Sequence, residues 1–256
     1  MDIPRNVMQQ DSPLKILDEE EEQVKQWLYN LFPEDLNLLE RQIQVISRYS
    51  IHLREFYKHK YGSDFSLTLD ELKSASDALV LDWVPALLMF HAVENLQAAR
   101  LNTLHGYLSI TPVCLRNVAE SLHWSSAAIS SVELARDWLD LKKRTKVPKS
   151  LNPVIQEMMK YFTGFSKFGA HPLPQARWIS CLTKPDVRSE IGNENLKTML
   201  KGYINTLNLF SANFLLVWEG IMPWLSNIDP ILSKELNCLR GMLNHKFRRG
   251  KTGGTL

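Results

Sequence analysis

The stretch Leu196-Lys-Thr-Met199-Leu200-Lys-Gly-Tyr203-Ile204-Asn-Thr-Leu207-Asn-Leu-Phe210-Ser-Ala-Asn-Phe214-Leu215-Leu-Val-Trp218 decides the fold. Its large apolar residues recur at the three- and four-residue steps that build one face of a helix. A half-buried strand needs alternation at every second residue, and no segment shows that pattern convincingly. Working outward, helix-start signals repeat along the chain. Ser12-Pro13, Thr111-Pro112, Asn152-Pro153 and Asp229-Pro230 each set a capping side chain before a proline whose missing N–H costs nothing in a first turn. Thr68-Leu-Asp-Glu71 adds a capping box.

These signals predict helices over 13–31, 34–61 with Gly62 as the stop, 112–130, 132–145, 153–168, 193–221 and 230–246. A further helix runs over 69–107, with Pro85 either kinking it or starting a new one. The stretch from Gly169 to Asn193 carries Pro172, Pro174, Pro185 and Gly192 and reads as a long loop. The expected architecture is an all-α multi-helix bundle. A flexible tail over 1–12 precedes an N-terminal helical hairpin over 13–67, docked on the main bundle or forming a small subdomain. The main bundle covers 68–246, and a basic flexible tail covers 247–256. Long apolar faces such as 196–218 exceed what one neighbour would cover and point to a homodimer.

Thirty basic against 28 acidic residues leave a formal charge of +2, so no whole-molecule field selects nucleic acid. Cys114, Cys181 and Cys238 are odd in number, far apart and without C-x-x-C spacing, which argues against a zinc knuckle or a disulfide framework. They read as reduced thiols of a cytoplasmic protein. The start Met1-Asp-Ile-Pro-Arg5 lacks a signal core, and the apolar run Trp83 to Phe90 is too short to span a bilayer, so no membrane is expected as a partner.

The chemistry concentrates in Thr111-Pro-Val-Cys-Leu-Arg116-Asn117-Val-Ala-Glu120-Ser-Leu-His123-Trp124. At about 100° per residue, Arg116, Glu120 and His123 share one stripe of an otherwise apolar helix. In one reading Arg116 grips a phosphate and His123 moves the proton of a ribose hydroxyl, with Glu120 orienting them and no metal required. In the other, Arg116 and Glu120 are an internal ion pair and His123 is a satisfied core histidine. His171, just past the expected 153–168 helix, either joins Arg116 and Glu120 or caps that helix. At the C-terminus, Arg248, Arg249 and Lys251 form the one concentrated basic patch, to be read as RNA-binding or as a solvated tail. Glu120-x-x-His123 has the spacing of a di-iron bundle, but a second such pair is lacking. Walker, Rossmann and His-Glu-x-x-His motifs are also absent, so neither metal nor cofactor is expected.

Four segments carry a resemblance. They are Phe90-His91-Ala-Val-Glu94-Asn95, Leu115-Arg116 to Trp124, Leu134-Ala-Arg136-Asp-Trp138-Leu, and Tyr161 to Pro172 with Ser166 and His171. Together they resemble a group of uncharacterised helical prokaryotic proteins that share an Arg-x-x-x-Glu helix and a later Ser-x-x-x-x-His helix end. Arg116-Asn117-x(5)-His123 is also similar to the Arg-polar-x-His signature of the HEPN superfamily, helical bundles that often dimerise and cleave RNA without metal. The HEPN resemblance implies a ribonuclease of a prokaryotic or phage stress or defence system, with Arg116 and His123 as its pair and Asn117 in support. The other resemblance implies only that Arg116, Glu120, Ser166 and His171 form a shared network. The competing expectation is a non-catalytic module that binds another protein through a helical face.

Overall fold

In the computed structural model, residues 13–62, 67–108, 110–140, 158, 194–222 and 229–251 are described. They form eight helices and no strand: α1 Pro13–Leu31, α2 Pro33–Tyr61, α3 Leu69–Ser74, α4 Asp77–Leu104, α5 Thr111–Ala128, α6 Val132–Leu139, α7 Glu194–Ile221 and α8 Pro230–Lys251. The all-α architecture read from the sequence is therefore present. The helix predicted over 153–168 and the loop over 169–193 lie outside the described residues, apart from buried Met158.

Several boundaries differ from the sequence reading, among them the end of α6, expected at 145 and found at Leu139, where Asp140 leaves the helical conformation as its C-cap. The helix expected from 69 divides at Ala75–Ser76, while α4 runs unbroken through Pro85. Thr68 begins α3 with the predicted capping box, and Ser76 then starts α4 by accepting the Leu79 N–H. Arg136 of α6 fixes the break. Its guanidinium donates to the Lys73 carbonyl at 2.9 Å, to the Ala75 carbonyl at 2.8 Å, and through Nε to Asp77 at 2.9 Å. The freed carbonyls of one helix end thus find a cation, which favours that end of the helix dipole. At the other extreme, α8 continues to Lys251, past the boundary at 246 read from the sequence.

One apolar core unites α1, α2, α4, α5, α7 and α8, so the N-terminal hairpin docks on the bundle and shares its core. Leu36, Leu39, Leu53, Met89, Leu96, Leu122, Phe210, Phe214 and Trp218 are sealed within it. Packing of α7 on α2, α4 and α5 buries Leu200, Ile204, Leu207, Phe210, Phe214 and Trp218 of its apolar face within the chain. A smaller core of Leu72, Val80, Val84, Leu88, Ala128, Ala135 and Leu139 joins α3, α4 and α6. By length and composition α4 is apolar enough to cross a membrane, a longer apolar segment than the 83–90 run suggested, yet half of that window is buried inside the bundle.

Polar pins cross the main core. Arg100 of α4 meets Glu40 of α2 in a two-pronged pair at 2.7 Å on each prong, and Tyr29 of α1 donates to the same carboxylate at 3.0 Å. Gln42 of α2 donates to Asn208 of α7 at 2.8 Å, with both side chains fully buried. Asn208 in turn donates to the carbonyls of Asp35 and Ile204. Removing a buried partner strands the groups it served, a penalty far above the net worth of one bond. Asn208→Ala is therefore expected to lower stability by about 2–3 kcal/mol, read as a shifted midpoint with an unchanged slope in urea unfolding.

Candidate functional site

The α4–α5 pair forms the most extensive helix–helix contact among the described residues, and the site lies along its seam. Gly106, at φ 86°, adopts a left-handed conformation in the connection between the two helices. From there the helices run antiparallel, and polar bonds recur between them. Thr103 meets Thr111 at 2.9 Å, Asn117 donates to Asn95 at 2.9 Å, His91 meets Ser121 at 2.8 Å, and Ser125 donates to the Pro85 carbonyl at 3.1 Å. Ala92, Ala99 and Ala119 are buried along the same stretch of the two helices, and small side chains allow close approach of backbones.

Arg116 and Glu120 meet as the one-turn spacing predicts, Nη2 to Oε1 at 3.3 Å and Nε to the same oxygen at 3.4 Å. The pair is not internal. Its side chains are 42% and 41% exposed, so it is a solvent-facing pair of the kind that contributes little stability. His123 lies on the same stripe, but its residue is only 9% exposed. Its Nδ1 is buried and finds no partner among the described residues, so it is neither oriented by Glu120 nor a satisfied core histidine on that side. Burial pushes its pKa down and keeps the imidazole neutral. The structure thus separates the predicted pair by environment: the Arg116 side chain is 42% exposed while the imidazole is enclosed.

Asn117 is part of the seam through its bond to Asn95. His171 and Ser166 lie outside the described residues. Arg248, Arg249 and Lys251 belong to the last turns of α8, and their side chains lie outside the described set. No cluster of three metal-ligating side chains occurs among the described residues.

Sequence reasoning missed the group that the seam assembles: His91, Asn95, Asn117 and Ser121. Asn95 Nδ2 donates to the His91 carbonyl at 2.9 Å and faces His91 Nε2 at 3.1 Å. A carbonyl can only accept, so the Asn95 nitrogen points at the ring and Nε2 is the accepting nitrogen. The proton then sits on Nδ1 and is donated to Ser121 Oγ. Serine, imidazole and carboxamide are linked here in an order that superficially suggests a nucleophile, yet the imidazole gives the hydroxyl a proton where a base would take one. Ser121 is also only 4% exposed. The signal available in sequence was the His91-x-x-x-Asn95 spacing opposite Asn117-x-x-x-Ser121, which becomes legible once the helices are known to be antiparallel.

Compared with family models, curated proteins and solved structures, the chain matches none. The site's chemistry rests on its own geometry.

The enclosed imidazole sets a pH dependence. An unfolded chain's histidine titrates near about pH 6.5, and the folded value of His123 lies lower. The stability tied to its neutral form is therefore complete above the unfolded value and falls as pH drops below it. His123→Leu is expected to remove part of the acid-side loss between about pH 7 and pH 5, while changing stability at pH 7 by less than about 1.5 kcal/mol. Urea unfolding of both proteins at the two pH values measures this.

Proposed function

We propose that this chain is a non-catalytic helical interaction module of the cytoplasm, which offers a protein partner the α4–α5 hairpin. The observation that carries this reading is the enclosure of His123 beside a solvent-facing Arg116–Glu120 pair. Phosphodiester cleavage of the metal-independent kind needs an imidazole within hydrogen-bond reach of a substrate hydroxyl, and His123 lies below the surface. At the turn end of the hairpin the character is different. Leu101, Ile110 and Val113 are 45%, 45% and 42% exposed around the buried Thr103–Thr111 bond. Exposed aliphatic side chains gathered at one end of a rigid hairpin are what a partner surface can cover.

A second reading retains one specific observation. Arg116 is 42% exposed and meets Glu120 at the long end of the hydrogen-bond range, a guanidinium placed where a phosphate can reach it. That reading is a HEPN-like nuclease of a stress or defence system, acting on RNA.

Incubation of the purified chain with total RNA in the presence of a chelator separates the two. The module reading expects intact RNA with the wild type, Arg116→Ala and His123→Ala alike. Metal-independent cutting by the wild type that both substitutions abolish would replace it with the nuclease.

A further inference from the structure

Nine large apolar side chains stand exposed among the described residues, and three of them, Leu101, Ile110 and Val113, gather where α4 gives way to α5. The buried Thr103–Thr111 bond explains the grouping. Two residues further along each antiparallel helix is a rotation of about 200°, so Leu101 and Val113 leave the buried side of the seam together and face solvent. Ile110, at the cap position of α5, joins them through the turn in which its carbonyl accepts the Val113 N–H at 3.0 Å.

The same end of the molecule is acidic. Asp18-Glu19-Glu20-Glu21-Glu22 of α1 is the longest run of like charge in the chain, and Glu21 fastens it beside the apolar group. One oxygen of Glu21 lies 2.9 Å from Nδ1 of His105, one turn after Leu101, and the other accepts from Tyr107, one turn before Ile110, at 2.6 Å. Glu20 reaches the same connection: the bond to Glu21 foremost, then desolvation and the charges of Glu21 and Glu20, hold the Tyr107 hydroxyl above its ordinary pKa. The basic groups at this end already have carboxylate partners, Lys25 in Glu22, His105 in Glu21 and Arg100 in Glu40. One turn beyond Val113, the Arg116–Glu120 pair is neutral as a unit and leaves the acidic excess unchanged.

Resting on the module reading, we propose that the occupant of this end is a basic amphipathic segment of a partner protein. Its aliphatic side lies on Leu101, Ile110 and Val113, and its lysines or arginines lie along the acidic run of α1. Apolar contact at the centre supplies affinity, while opposite charge at the rim sets orientation and speeds encounter. A polyanion meets like charge at the same rim. The rigid hairpin holds the three aliphatic side chains in place before the partner arrives, which lowers the ordering cost of binding.

The probe is a labelled amphipathic peptide of about eighteen residues, leucine along one face and lysine along the other, with two controls: glutamate for every lysine, and serine for every leucine. Fluorescence anisotropy with the full chain is expected to show the leucine–lysine peptide binding at least about tenfold more tightly than either control. Leu101→Ser combined with Val113→Ser, both at exposed positions and so expected to leave the urea midpoint in place, weakens that binding by about five- to tenfold. Asp18→Lys with Glu20→Lys is expected to turn the preference toward the glutamate peptide, with α1 still docked through buried Val24 and Leu28; adhesion to another part of the surface would not reverse in this way. Equal binding of the three peptides, binding that survives the double serine substitution, or an unaltered charge preference after the reversal would each overturn the assignment. RNA cutting is read separately, so any of these outcomes with RNA intact removes the basic partner and leaves the module reading standing.

Discussion

The close antiparallel approach of α4 and α5 is the constraint on which the rest of the molecule depends. Buried alanines let the two backbones come together, and a connection with Gly106 in the left-handed conformation precedes α5. Polar rungs from Thr103–Thr111 to Ser125–Pro85 then hold the register. A slide of one helix along the other would break every rung together and leave buried hydroxyls and amides without partners. With that hairpin fixed, α6 folds back across one end of it and α7 lies against the other side, carrying α2 with it.

Much of this was legible in the amino-acid order. The prolines located the starts of α1, α5 and α8 to within a residue, and Asp229 caps α8 as read; Thr111 does not cap α5, for it lies inside the helix with its hydroxyl on Thr103, and Ile110 stands at the cap position. Of the two readings of Pro85, a new helix start is ruled out: Pro85 and Ala86 are buried and α4 continues through them, because tertiary burial decides whether a helix breaks where a proline weakens it. The true interruption, at Ala75–Ser76, depends on Arg136, some sixty positions away. Such a residue carries no local mark of its role.

The charged stripe shows the same limit more sharply. Arg116 and His123 share a helix face to within roughly 20°, and the sequence reading treated that shared face as a shared fate. A helical wheel gives direction about an axis but not the neighbours met along it. Arg116 extends a long, flexible stem to water, whereas the shorter His123 side chain, two turns on, is enclosed. The His91–Asn95–Asn117–Ser121 chain was illegible for the complementary reason. Its members lie on two helices, and only the register of the turn brings them opposite each other.

The buried bond between Gln42 and Asn208 links residues 166 positions apart. While the chain is being made, α2 emerges well before its partner helix, with α3 to α6 synthesised between them. The α4–α5 hairpin, by contrast, closes over a handful of intervening residues. Assembly from the ribosome therefore proceeds from the middle outward. Until α7 is made, the part of α2 that it covers, Gln42 included, stays open to water.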